Sequence, residues 1–162
     1  MRRRTASALF DPPAATSTLP LVSRIVGDAV PLARDLADRR ARLAWVRRTP
    51  GGKRGGELGE ELADIAAGID ADADRLAGFA AEVRQVGAVL RDAATGLVEF
   101  PGPRVGDDGT ARDGFYSWRP GEPAVTHWRP AAADPADRAP VRPLTEPAGA
   151  DAVTELPEAA GL

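Results

Sequence analysis

One long apolar stripe dominates the pattern of hydrophobic and polar positions in this chain. Between residues 57 and 94 the steps along the stripe alternate strictly between four and three residues, and only Asp72 among its members is polar. The members are Leu58, Leu62, Ile65, Ile69, Asp72, Leu76, Phe79, Val83, Val86 and Leu90. These steps are those of the a and d positions of a heptad. The pattern therefore predicts a helix over residues 57–94 whose apolar face needs a partner.

A second, weaker stripe precedes it over residues 11–48. Its apolar members are Leu19, Val22, Ile25, Ala29, Leu32, Leu36, Leu43 and Val46. Arg39 occupies the stripe position between Leu36 and Leu43. Asp11 followed by two prolines is typical of a helix start. Pro31 falls inside the stripe and costs on the order of 3 kcal/mol unless the helix bends, so we expect either a kinked helix or two shorter ones.

A glycine-rich break separates the two stripes. Residues 49–56 combine glycine, proline and charged side chains, which is typical of a flexible turn. Two apolar-striped helices of similar length on either side of a short turn favour an antiparallel hairpin over residues 11–95. In that hairpin the polar stripe residues Arg39 and Asp72 could meet and fix the register.

The residues after the two stripes are predicted to form short strands. Residues 97–100, 114–118 and 124–128 are strand candidates, and Arg119 to Glu122 suit a type II turn. We therefore expect a mainly α fold: a long, coiled-coil-like antiparallel helical hairpin, then a small antiparallel β meander over residues 96–141. Residues 1–10 are expected to be flexible, and residues 142–162, rich in Ala, Pro and acidic side chains, to be a disordered tail.

The amino-acid composition argues against several classes of function. The net charge of -3 does not favour a nucleic-acid-coating protein. Cysteine is absent and His127 is the only histidine, which excludes thiol chemistry and multi-histidine metal sites. No run is long and apolar enough for a membrane span. We expect a soluble, cytoplasmic protein that needs no cofactor.

The order of the C-terminal motifs points to a family. These motifs are Gly96-Leu97-Val98-Glu99-Phe100-Pro101, Tyr116-Ser117-Trp118-Arg119-x-Gly121-Glu122-Pro123, Trp128 and Arg138-x-Pro140. With the preceding helix pair they resemble an uncharacterised bacterial family, domain of unknown function 2203, over roughly residues 10–141. The resemblance implies a helical hairpin followed by a small β element, and a family without an established activity.

The chain departs from that family's pattern at several positions. Glu99 stands where the family usually has Asp, Ser117 where it has Cys, and Arg129 where it has His after the tryptophan. His127 is therefore not the family histidine and falls one position before the tryptophan, where an aromatic residue is usual. Any metal or thiol site that the family builds on that Cys and His would be lost here, so the resemblance lowers the odds of catalysis.

The aromatic and charged residues of the β region are the best candidates for a binding cluster. They are Trp118, Arg119, Glu122, Trp128, Arg129 and Arg138. Two indoles beside guanidinium groups could form a small anion or peptide pocket. In the structural alternative, Arg129 or Arg138 pairs with Glu122 or Glu99 and the indoles pack as core.

Other candidates carry weaker signals. His127 has no partner spaced to suggest a triad, and Asp70, Asp72 and Asp74 lack the pattern of a calcium loop. The basic residues Arg47, Arg48, Lys53 and Arg54 at the hairpin tip could touch nucleic acid or an anionic membrane, although a solvated tip is the simpler interpretation.

We therefore predict a non-enzymatic module that acts through protein–protein contact or self-association. Its partner would be a second copy or another protein, rather than membrane or nucleic acid. The alternative function is a small-ligand or anion-binding protein, possibly a degenerate enzyme, centred on Trp118, Glu122, Arg129 and Arg138.

Overall fold

Two long helices of equal length make up the first part of the fold. The structure, a computed structural model, describes residues 9–49 and 56–141. A short helix α1 (Pro12–Ser17) is followed by α2 (Leu19–Arg48) and α3 (Glu57–Val86), and the two long helices have 30 residues each. At 1.5 Å per residue each is about 45 Å long. The expected helix pair is therefore present.

The first helical segment is interrupted near its start and not at Pro31. The Asp11 carboxylate accepts a hydrogen bond from the Ala14 amide at 2.7 Å and caps α1. Thr18 then separates α1 from α2, and Pro20 occupies the first turn of α2, where a missing amide proton is tolerated. Pro31 lies inside α2 and the helix continues through it, so the break into two helices at this proline does not occur.

The two predicted stripes face each other. Leu36, Leu43 and Ile69 are buried between the helices. Partly buried apolar residues surround them, namely Leu32, Leu62, Ala66, Ala73 and Leu76. Nη2 of Arg39 donates to Oδ2 of Asp72 at 2.6 Å across the same interface. Further along α2, Leu43 and Arg47 line one depression with Ala66 and Ile69, which precede Asp72 on α3. The two helices are therefore antiparallel.

The prediction that the second helix extends to residue 94 was wrong. The helix ends at Val86, and Gly87 follows in the left-handed region with φ of 98°. This is the conformation that commonly terminates a helix, and glycine adopts it without the strain that a Cβ would add. Leu90, which continued the four–three spacing, lies in a strand instead.

Within residues 87–141, which the structure describes, seven strands follow the helices. They are β1 (Val89–Asp92), β2 (Leu97–Pro101), β3 (Arg104–Val105), β4 (Ala111–Arg112), β5 (Gly114–Trp118), β6 (His127–Pro130) and β7 (Ala139–Pro140). Five of them form one antiparallel sheet in the order β1-β2-β5-β6-β7, while β3 and β4 pair separately. A 3-10 turn, Pro135–Asp137, precedes β7.

The expectation of only a small β element was therefore wrong. Two edge strands were missed: β1 because its residues continue the helical stripe, and β7 because two residues with a proline give almost no strand signal. The strand candidate at 124–128 also begins late, at His127. The chain is a helix pair joined to a five-stranded sheet.

One face of the sheet closes the main core. Successive side chains of a strand point to opposite faces, and the helix-facing set includes Val98, Phe100, Tyr116, Trp118 and Trp128. These side chains pack with Val22, Val26 and Val83 of the helices. Phe10, just before α1, joins them with its ring centroid 5.2 Å from that of Phe100.

Some expectations concern residues outside the described ranges. The flexible N-terminus, most of the 49–56 turn and the tail from residue 142 onwards lie there. Within the described ranges, none of the helices has the length and apolar character needed to cross a membrane.

Candidate functional site

The two indoles of the candidate cluster belong to the core. Trp118 and Trp128 are 4% and 7% exposed. Nε1 of Trp118 donates to the Glu122 carbonyl at 2.8 Å, and Nε1 of Trp128 donates to the Gly102 carbonyl at 3.0 Å. Each ring is thus fixed by packing and by one hydrogen bond from its single donor. Both side chains therefore stabilise the sheet.

The charged members of the cluster lie on the opposite, outer face of the sheet. Arg129 donates from Nε to Oε2 of Glu99 at 2.5 Å and from Nη2 to Oε1 at 3.0 Å. Arg91 donates to the same carboxylate. Glu99 is 1% exposed and Arg129 5% exposed, so this is a buried, bidentate ion pair.

The environment of Glu99 keeps it ionised. Burial by itself raises the pKa of Glu99, but hydrogen bonds from Arg129 and Arg91 outweigh burial and hold the pKa below its ordinary value. The bond to Glu99 raises the pKa of Arg129 in turn. Nη1 of Arg129 also donates to the carbonyl of Ala133 at 2.6 Å, which attaches the segment after β6 to the sheet.

Phe115 completes this outer face. The guanidinium carbon of Arg129 lies 4.6 Å from the centre of its ring, and that of Arg91 lies 5.7 Å away. Both distances suit cation–π attraction. The aromatic ring and the carboxylate of Glu99 thus hold the two arginines together.

A second polar group surrounds Glu122. Arg138 donates to its carboxylate from Nη1 at 2.6 Å and from Nη2 at 2.7 Å. Arg138 also donates from Nε to Oγ of Ser117 at 2.7 Å. Burial raises the pKa of Glu122, but the bonds from Arg138 and the Arg119 amide lower it overall. Burial and the charge of Arg138 lower the pKa of His127, whose Nδ1 lies 3.8 Å from Glu122.

The six candidate residues thus do not form one pocket. The indoles face the core, Arg129 pairs with Glu99, and Arg138 pairs with Glu122. Arg119 has its amide bound to Glu122, while its Nε is buried without a hydrogen-bond partner among the described residues. This arrangement matches the structural alternative, in which the arginines fix a sheet and the indoles pack inside it.

Two open surface depressions lie away from these pairs. One, of about 350 Å³, lies on the helix pair and is bordered by Leu43, Ile69 and Asp70. The other, of about 370 Å³, lies beside β3 and β4 between Arg104 and Arg112. Of the six candidates, only Trp128 lines one of these two.

The residues at positions 99, 117 and 129 lie together. Glu99 and Ser117 are register partners on neighbouring strands, and Arg129 bonds to Glu99 on the same face. The sequence identified positions 99, 117 and 129 separately but could not show that they are adjacent. In the structure these positions form one local network, in which Glu99 pairs with Arg129 and Ser117 is bound by Arg138.

The end of the helix pair away from the sheet has exposed apolar side chains. We call residues 39–48 of α2 and 57–72 of α3 the distal half. Val46, Leu58 and Ile65 are stripe residues, yet they are 38%, 45% and 42% exposed. Trp45, outside the stripe, is 65% exposed. The two helices thus leave part of their apolar interface uncovered.

The charges of the distal half are segregated by helix. Residues 39–48 of α2 contain five arginines and no acidic residue, and residues 57–72 of α3 contain six acidic residues and no basic one. Within the described residues, Arg39 with Asp72 is the one ion pair that joins the two helices. Bonds from Arg39 and Arg75 hold the pKa of Asp72 below its ordinary value.

No group of three or more metal-ligating side chains occurs in the part of the chain that the structure describes. Neither a search of curated proteins nor a search of solved structures found a match. A family model described as "Uncharacterized conserved protein (DUF2203)" matches residues 8–141. That match spans both the helix pair and the whole sheet, and the chain therefore belongs to this uncharacterised conserved family.

Proposed function

We propose that this protein is a non-enzymatic self-association module whose contact surface is the distal half of the helix pair. The observation that carries the proposal is the partial exposure of Val46, Leu58 and Ile65 at stripe positions. Covering such residues contributes roughly 25 cal/mol per Å² of apolar surface. A second helix pair would cover them and complete a four-helix bundle.

These exposed side chains share one side of the helix pair. Val46 follows Arg39 by seven residues, and Ile65 and Leu58 precede Asp72 by seven and fourteen. Seven residues make about two helical turns. Val46, Ile65 and Leu58 therefore lie on the same side of the helix pair as Arg39 and Asp72, displaced along the helix axis. We call this set the heptad column, and it consists of Leu32, Arg39 and Val46 on α2 and Leu58, Ile65, Asp72 and Phe79 on α3.

The ligand-binding alternative has less support. Glu122, Arg129 and Arg138 use their charged groups on one another or on Glu99, and Trp118 and Trp128 use their indole donors on backbone carbonyls. Little polar capacity remains at these side chains for a ligand.

The test is the molar mass of the full chain in solution, with two matched variants. We expect a concentration-dependent dimer in sedimentation equilibrium at micromolar concentration. Ile65→Glu in the heptad column should shift it to monomer. Trp45→Gln, which removes an even more exposed apolar side chain outside the column without adding a charge, should leave the dimer intact. A wild-type monomer up to several hundred micromolar would refute the proposal, as would equal effects of the two variants.

A further inference from the structure

The charge segregation of the distal half also specifies how two copies would be arranged. We propose that the dimer is a two-fold one in which both hairpins run in the same direction, so that α2 of each copy faces α3 of the other and the two sheets lie at the same end. This inference rests on the proposed self-association. It adds the orientation of the partner and a dependence on ionic strength.

Two arrangements bring the heptad columns of two copies together with two-fold symmetry. If the axis runs along the helices, α2 crosses over to face α3 of the second copy. If the axis runs across the helices, α2 faces α2 and α3 faces α3, and the sheets lie at opposite ends. Apolar burial is similar in both, because the same side chains are covered.

Charge distinguishes the two arrangements. In the first, the arginines of residues 39–48 lie opposite the acidic residues of α3 in the second copy. In the second arrangement, arginines face arginines and carboxylates face carboxylates. Like charges placed together at an interface cost several kcal/mol, and opposite charges favour association. The segregated helices therefore favour the arrangement with α2 opposite α3.

The positions of the charged residues along the helix axes agree with this arrangement. Arg39 lies opposite Asp72 within one copy, so residues 39–48 of α2 are level with residues 63–72 of α3. An axis parallel to the helices preserves these levels between copies. Arg42, exposed at the margin of the column, then lies within about one helical turn of Asp72 in the second copy. Neither Arg42 nor Glu61 forms an ion pair with another described residue.

Near the sheet the heptad column enters the main core, where Phe79 packs against the buried cluster, so the contact between copies is confined to the distal half. The turn after β1 contacts α2 at Val26 and Arg34: Val26 lies close to Gly96, and Nε of Arg34 donates to the Ala94 carbonyl at 2.9 Å. At about 100° per residue, Val26 and Arg34 are roughly 100° and 200° around α2 from the column. The turn after β1 thus attaches to α2 away from the column.

The salt dependence of the dimer dissociation constant distinguishes the two arrangements. Screening weakens attraction between opposite charges and weakens repulsion between like charges. We expect the dissociation constant of the wild-type dimer in sedimentation equilibrium to rise at least fivefold between 50 and 500 mM sodium chloride. A constant that falls or does not change overturns the proposed arrangement while leaving self-association in place. A monomer at every salt concentration would refute both.

Charge reversal gives a second test. Arg42→Glu should weaken the dimer at least fivefold, because it places a carboxylate opposite the acidic residues of α3. In the other arrangement the same change would strengthen the dimer, since it would face arginines. Arg112→Glu, at an exposed position of β4, is the matched control and should have no effect.

A distance measurement tests the geometry directly. The chain has no cysteine, so Arg24→Cys on the exposed side of α2 near the sheet carries a single spin label. Double electron–electron resonance should give an inter-copy distance of about 30 Å when both hairpins run in the same direction. Position 24 is about 22 Å along the helix from Arg39, the middle of the column on α2, so the opposite arrangement would separate the labels by about 45 Å or more. A distance above 45 Å would overturn the proposal.

Discussion

Glu99 and Arg129 face each other across the central strand β5 and form a bidentate ion pair that is almost completely removed from water. Leaving one buried charge without its partner costs about 3–5 kcal/mol. We expect Arg129→Met to lower the free energy of unfolding in urea by that amount. Arg91→Met should cost clearly less, because the Arg91 side chain is 37% exposed. Equal losses in the two variants would contradict the assignment of Arg129 as the main partner of Glu99.

The same carboxylate should make stability depend on pH. The folded-state pKa of Glu99 lies below its unfolded value of about 4.5. Between those two values the unfolded chain binds more protons than the folded one, so the contribution of Glu99 is fully present above pH 4.5 and is lost as the pH falls through the folded pKa. The free energy of unfolding of the wild type, measured in urea, should therefore decrease below pH 4.5. Glu99→Gln should reduce this slope, whereas Glu57→Gln, at an exposed position, should not.

Arg138 should hold the last strand in place. Its side chain is 6% exposed, and it bonds to Ser117 and Glu122, which lie outside β7. Beyond it, the amide of Val141 donates to the Thr126 carbonyl. We expect Arg138→Ala to accelerate hydrogen exchange at residues 139 and 141 by at least tenfold. Exchange in β2 should change much less, and a uniform increase across the sheet would instead indicate global destabilisation.

Two glycines should respond to alanine in opposite directions. A Cβ at Gly114 would collide with the backbone carbonyl of Arg129 and with the Trp128 ring, and neither can move freely inside the sheet. Gly114→Ala should therefore lower the melting temperature strongly. Gly78 is exposed inside α3, and an added Cβ there would meet open space. Gly78→Ala should raise stability by about 0.5–1 kcal/mol, because alanine is the better helix former.

The candidate site illustrates how far residue types can be interpreted without coordinates. Trp118, Glu122, Trp128, Arg129 and Arg138 could be singled out from their chemistry, and their pairing was one of two interpretations. Which arginine binds which carboxylate depends on strand register, since Ser117 lies beside Glu99 only because β2 pairs with β5 at that offset. Residue spacing along one chain does not contain that offset.

The sequence by itself determined the helix pair. A four–three spacing repeated over many turns is satisfied only by a helix with one apolar side, and two such helices joined by a glycine-rich turn pack against each other. The family membership also followed from local motifs that remain recognisable without a fold. These features depend on residues close together in the chain.

Tertiary structure decided where the second helix ends and how large the sheet is. Gly87 terminates α3 although the apolar spacing continues to Leu90, because a strand at that point pairs with β2 and packs Leu90 against the main core. The tertiary fold also decided that Val46, Leu58 and Ile65 remain partly exposed. Two helices can cover only part of each other's apolar surface, and how much they leave uncovered depends on the packing of the whole chain.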